Sequence, residues 1–204
     1  MGRKFIYDQL VIASHNLGKI DEITELMAPL GITVRNSVEL QLPEPIEDGL
    51  TFIENATIKA ISASNNTGLP ALSDDSGLSI NALSGAPGIY SARWAETNNG
   101  RDFNVAMERI HNELIKHDDL TAQFTCALAL SWPDGHIETF EGILNGKIIW
   151  PPRGTKGFGY DPIFQKLGDS RTFGEIEPME KQNISHRAIA FNKMLESCFL
   201  QKDD

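Results

Sequence analysis

The chain has 204 residues, of which 41% are hydrophobic, 23% charged and 8% aromatic. This balance excludes a disordered, collagenous or coiled-coil protein, and the length suits one large domain or two small lobes sharing a core. With 18 Lys and Arg against 28 Asp and Glu, the formal net charge is −10. That field repels polyanions, so neither a nucleic-acid polymer nor an anionic membrane is expected as a partner; a small phosphate ligand needs only a local basic site. Two cysteines, Cys126 and Cys198, make neither a disulfide framework nor a four-ligand zinc site. No signal-like apolar region and no apolar run of ~18 residues is present, so a cytoplasmic protein is expected.

In chain order, Leu10 to Ser14 reads as a short buried strand. Leu17, Ile20, Ile23, Leu26 and Leu30 then recur at helical spacing up to Gly31, and Ile32 to Arg35 reads as a second strand. Gln41 to Asp48 is a Pro-rich acidic loop. Thr51 and Glu54 form a capping-box pattern ahead of a helix that carries Phe52, Ala56, Ala60 and Ala63 on one face and stops near Gly68. Ala71 to Leu83 reads as two short strands around an acidic corner, Asp74-Asp75-Ser76-Gly77. Phe103, Met107, Ile110 and Leu114 mark a third helix. Phe124 to Trp132 alternates with period two, Pro133-Asp134-Gly135 is a turn, and His136 to Asn145 is its partner strand. Cys126, inside this run, is expected in the core. Gly154 to Phe164 is a Gly-rich aromatic loop. A last helix carries Ile184, Ala188, Phe191, Leu195 and Cys198. Helices interleaved with strands, plus one hairpin, indicate an α/β fold with a mixed sheet.

Four segments carry chemistry. The turn Ser14-His15-Asn16-Leu17-Gly18-Lys19 leads from strand into helix, where free N–H groups and a lysine suit an anion; an ordinary capped helix has the same pattern. The pair Asp74-Asp75, with Glu47 and Asp48, offers hard oxygen ligands for Mg²⁺, or forms a solvated acidic turn. In Gly157-Phe158-Gly159-Tyr160-Asp161, the rings offer flat faces for a base and Asp161 an acceptor, or the loop plugs the core. Ser185-His186-Arg187, with Lys181 upstream, starts a helix with cations suited to phosphate or base oxygens, or merely exposed. Walker, dinucleotide, serine-hydrolase and zinc-hydrolase patterns are absent. Together the four list what binding a nucleoside triphosphate requires.

The order of these motifs resembles the inosine/xanthosine triphosphate pyrophosphatase family. The resemblance rests on Ser14-x-Asn16-x-x-Lys19, Thr51-Phe52-x-Glu54-Asn55-Ala56, Asp74 to Leu78, Gly85 to Arg93, Gly157 to Phe164 and Ser185-His186-Arg187, from about Leu10 to Leu195. It implies a single domain over residues 1–204 with an elongated two-lobed α/β fold, a long central mixed sheet flanked by helices, and an active-site cleft between the lobes. It implies Mg²⁺-dependent cleavage of ITP, dITP and XTP to the monophosphate and pyrophosphate, by a homodimer.

Carried over by position, Ser14, His15, Asn16, Leu17, Gly18 and Lys19 would cradle the triphosphate, and Asp75 would be the catalytic base. Glu47 and Asp75, with Asp74 beside them, match metal-associated carboxylates. Ser76, Phe158, Gly159, Tyr160, Asp161, Lys181, His186 and Arg187 match substrate-contacting positions. Departures are Ser14 in place of a frequent Thr, Asp48 after Glu47, Lys156 where Gly is frequent, and the stretch Pro178-Met179-Glu180. Competing readings are a pyrophosphatase for other damaged nucleotides, a non-catalytic nucleotide sensor, and a structural metal-binding protein. Tyr90 to Trp94 and Asn145 to Pro152 are apolar enough to serve either an interface or the core.

Overall fold

The structure is a computed structural model and describes residues 2–200. Strand β1 (Gln9–Ile12) pairs in parallel with β2 (Thr33–Asn36) on one side and β3 (Ala71–Ile80) on the other. Strands β4 (Glu96–Thr97) and β5 (Gly100–Arg101) form a separate small ribbon. Then follow β6 (Thr121–Ser131), β7 (Ile137–Ile148) and β8 (Phe164–Lys166), the last antiparallel to β7. The main sheet has the order β2-β1-β3-β6-β7-β8 and is mixed, as expected. Among the described residues no helix is long and apolar enough to cross a membrane.

By contact density the chain divides into two compact units. The first holds the chain up to Asp75, Cys126–Gly142 and the chain from Arg187 on; the second holds Ser76–Thr125 and Ile143–His186.

In the first unit, strand alternation sorts the core onto two faces. Leu10 and Ile12 of β1, Leu72 of β3 and Cys126, Leu128 and Leu130 of β6 pack with Ile20, Ile23 and Met27 of α1 (Leu17–Met27). Ala190, Phe191 and Met194 of α5 (His186–Met194) join that cluster. On the opposite face, Val11, Ala13 and Ala71 meet Ala63 of α2 (Phe52–Thr67), and Ala127 and Ala129 meet Ala56 and Ala60. Alanine against alanine lets α2 lie close to the sheet. The capping box forms as read: Thr51 Oγ1 accepts from Glu54 N at 3.1 Å and Glu54 Oε2 from Thr51 N at 3.2 Å. Gly68 ends α2 at φ 68°, the left-handed region that suits glycine.

In the second unit, Ala106, Met107, Ile110 and Leu114 line the buried side of α3 (Phe103–Leu114). Phe124 lies against Phe164 and Phe173, ring centroids 4.2 and 5.9 Å apart.

Two expectations about elements are corrected. The acidic corner is not a corner: β3 runs unbroken from Ala71 to Ile80, with Asp74 and Asp75 in its buried middle. Two adjacent carboxylates read as a turn because burial is costly for them, and the structure meets that cost with cations. The last helix starts at His186, where the Ser185-His186-Arg187 pattern put it, but Ile184 belongs to a separate short helix before it. Helix α4 (Pro178–Ile184) stops at Ser185, whose extended backbone (φ −77°, ψ 162°) precedes α5.

Candidate active site

Because successive side chains on a strand face opposite ways, Asp74 and Asp75 serve different surroundings. Asp74 points to the α1 and α5 side. Its Oδ1 lies 2.6 Å from Lys19 Nζ, and its Oδ2 lies 2.8 Å from Arg187 Nε and 3.0 Å from Cys126 Sγ. Arg187 also pairs with Glu22. Burial works against ionised Asp74, but the Arg187 and Lys19 charges outweigh it and hold the carboxyl well below the usual range. The Cys126 thiol, buried as expected, is pushed well up by burial and then by Asp74.

Asp75 points to the α2 side. Its Oδ1 lies 3.1 Å from Lys59 Nζ, and the same ammonium lies 3.2 Å from Glu47 Oε2. The other oxygen, Asp75 Oδ2, is buried and has no hydrogen-bond partner among the described residues. Burial raises the Asp75 pKa; Lys59 and Lys19 pull it down, Glu47 pushes it up, and the net shift is upward. At Lys59 burial opposes the charge, yet Asp75, Glu47 and Asp74 together raise its pKa. Both groups lose water, but at Lys59 several carboxylates outweigh that loss, whereas Asp75 also bears the like charge of Glu47.

Glu47 comes from the loop before α2. Gly49 N donates to Asn55 Oδ1 (2.9 Å) and Leu50 N to Glu54 Oε2 (2.6 Å), pinning that loop to the helix start. The turn after β1 is capped by its own side chains. Ser14 Oγ accepts from Asn16 N (3.2 Å), and Asn16 Oδ1 accepts from Lys19 N (3.3 Å). Gly18 and the exposed Leu17 lie in the first turn of α1, whose N–H groups have no intrahelical partner. His15 Nε2 lies 3.0 Å from Leu42 O.

The remaining expected residues lie in the second unit. Ser76 follows Asp75 on β3 and is half-buried. Phe158 is half-buried, with Lys181 Nζ 4.8 Å from its ring centroid. Asp161 Oδ2 accepts from Phe158 N (2.8 Å) and from Lys181 Nζ (2.6 Å). Gly157 and Gly159 adopt φ 73° and 68°, and a Cβ at Gly157 would lie 2.1 Å from Asp161 Oδ2. His186 stacks on Phe124, centroids 4.8 Å apart and planes 21° apart.

Several roles read from the sequence change with this geometry. Asp74 directs both oxygens to Lys19, Arg187 and Cys126 and serves there as a counter-ion. Arg187, 2% exposed, is engaged by Asp74 and Glu22 rather than held out toward a base. Asp161 spends Oδ2 on its own loop and on Lys181. Tyr160 is no stacking platform: it is buried, edge-on to Phe103 at 5.2 Å, and donates its OH to Ser91 O at 2.8 Å. Lys156, standing where Gly is frequent in the family, pairs with Glu177. Sequence reasoning missed Lys59 and Glu22. Lys59 had a signal, since it falls in the spacing Phe52, Ala56, Lys59, Ala63 on the apolar stripe of α2.

Comparison with known proteins decides the lineage. The Ham1 family profile matches residues 10–197. The chain belongs to the Ham1 family. A relative from Ruegeria pomeroyi, described as a dITP/XTP pyrophosphatase, is 53% identical over 203 residues, covering 98% of this chain and 99% of that protein. Another so described, from Zymomonas mobilis, is 53% identical over 93% of this chain and 91% of its own length. Among solved Ham1 structures, the HAM1 protein of Coxiella burnetii superposes with TM-score 0.84 at 40% identity, covering 92% of this chain and 96% of its own. The Staphylococcus aureus Ham1 protein does so with TM-score 0.82 at 36% identity, covering 92% of this chain and 96% of its own.

Proposed function

We propose that this chain hydrolyses non-standard purine nucleoside triphosphates, ITP, dITP and XTP, to the monophosphate and pyrophosphate with Mg²⁺. Membership in the Ham1 family, with relatives described as dITP/XTP pyrophosphatases, supports the substrate class. The observation that carries the chemistry is Asp75 Oδ2: a buried carboxylate oxygen with no hydrogen-bond partner among the described residues, on a carboxyl whose pKa is raised.

The metal test turns on the donor set. Glu47 and Asp75 present oxygens to one cation, Lys59, and those two would hold Mg²⁺. Among the described residues no three His, Cys, Asp or Glu side chains group to hold a metal, so substrate phosphates would complete the shell. When bound, the ion would neutralise phosphate charge and acidify water.

The chain's own residues do the rest. The α1 start and Lys19 attract the phosphates, with Asp74 setting the Lys19 ammonium in place. Asp75 takes the proton from the attacking water. In the second unit, Phe158 offers its ring to the base, and Asp161 and Lys181 lock the loop that presents it. His186, held flat by Phe124, reads the base edge. A donor facing a 6-keto oxygen is left unpaired by adenine, and such mismatches discriminate by ~10⁴. Arg187 acts through Asp74 and is a positioning residue. A cytoplasmic homodimer accompanies this reading, with the half-exposed Tyr90 and Trp150 as candidate contact residues.

The test is pyrophosphate release from ITP, XTP, dITP, GTP, ATP and TTP, with Mg²⁺ and with EDTA. Metal-dependent release confined to ITP, XTP and dITP is expected. Release from other nucleotides overturns the substrate, and binding without release overturns the enzyme.

A further inference from the structure

Lys59 sits where a divalent ion would be wanted. Its Nζ lies 3.2 Å from Glu47 Oε2 and 3.1 Å from Asp75 Oδ1, on a side chain only 12% exposed. Two carboxylates converging in a partly buried place repel each other unless a cation stands between them. Helix α2 supplies that cation by lying close to the sheet on its alanines, with Ala56 and Ala60 flanking Lys59. Glu47 belongs to no helix or strand, and the lysine, the Gly49–Asn55 hydrogen bond and the Leu50–Glu54 hydrogen bond help to tie it down.

We propose that Lys59 is a built-in monovalent cation that holds Glu47 and Asp75 together in the metal-free protein, and that a divalent ion must displace its ammonium from the same two carboxylates. The proposal rests on the reading that Glu47 and Asp75 hold the metal. It makes Lys59 a positioning residue with two effects. The carboxylates stay assembled without metal, and a free divalent ion binds weakly because it competes with a tethered charge.

The test is Mn²⁺ binding to the metal-free protein, followed by electron paramagnetic resonance, for the wild type, Lys59→Gln and Lys59→Arg. Losing a unit charge a few ångströms away is expected to tighten Mn²⁺ binding by at least about tenfold in Lys59→Gln. Lys59→Arg, which keeps the charge, stays near wild type. Equal or weaker binding by a folded Lys59→Gln overturns the competition alone. No Mn²⁺ bound by either protein overturns the metal reading with it. A second measurement does not depend on the charge-removing variant: the Lys59 ammonium signal in ¹H–¹⁵N spectra of the wild type, assigned by its loss in the charge-keeping Lys59→Arg. It is expected to shift on Mg²⁺ saturation, and an unmoved signal overturns the proposal.

Discussion

Asp74 and Arg187 are 113 positions apart in the chain and form a buried ion pair, Oδ2 to Nε 2.8 Å. Lys19 and Glu22 complete a group of two cations and two anions. Removing one member leaves a buried charge unpaired. Arg187→Met is expected to lower the unfolding free energy by about 3–5 kcal/mol, read by urea denaturation. Adding Asp74→Leu to that variant is expected to restore part of the loss, because an apolar pair of similar volume carries no desolvation cost.

Asp75 behaves differently, since its surroundings already disfavour the charge. Asp75→Asn is expected to cut pyrophosphate release from ITP by ~10²-fold or more. Its unfolding free energy stays within about 1 kcal/mol of wild type. A large drop in stability alongside the lost activity would make Asp75 a structural group.

Phe158 and Tyr160 of the Gly-rich loop separate cleanly. Phe158→Ala is expected to raise KM for ITP about tenfold, as loss of base stacking worth ~1–3 kcal/mol requires. Tyr160→Phe removes only the hydrogen bond to Ser91 O. It is expected to cost about 1 kcal/mol of stability and to leave KM unchanged.

Gly49 has no room for a side chain: a Cβ there would lie 2.7 Å from Asn55 Oδ1 and from Glu54 Cβ. Gly49→Ala is expected to push the Glu47 loop off the helix, costing about 1–3 kcal/mol. It should also weaken Mn²⁺ binding, while circular dichroism of the rest stays native.

Arg171 joins Asp169 to Glu180 of α4, at 2.9 and 2.6 Å. Its hydrogen bonds to Asp169 lower that carboxyl from 3.8 to about 2. The folded value lies below the unfolded one, so its contribution is present above 3.8 and is lost as pH falls toward about 2. The group is exposed and the contribution small. Arg171→Ala is expected to raise the Asp169 midpoint, followed by carboxyl NMR, part of the way to the ordinary range, since the residue-171 N–H still donates to Asp169. An unchanged midpoint would mean the backbone, not Arg171, sets it.

The sequence by itself determined the element types. Period-two and helical spacing, the Thr51 capping box and Gly68 all report local preferences that a short window contains, and β1, α1, α2, α3 and the β6–β7 turn stand where those preferences put them. It also singled out Asp75, Glu47, Lys19 and Phe158, because charged or aromatic groups in a fixed motif order are visible without contacts. What only tertiary structure decided is which charges cancel. Asp74 and Asp75 are neighbours in sequence, and nothing local says that one meets Arg187 from the far end of the chain while the other meets Lys59 across a face of alanines. The pleat of β3 sends them to opposite sides, and burial makes each carboxylate's partner, rather than its residue type, decide its role.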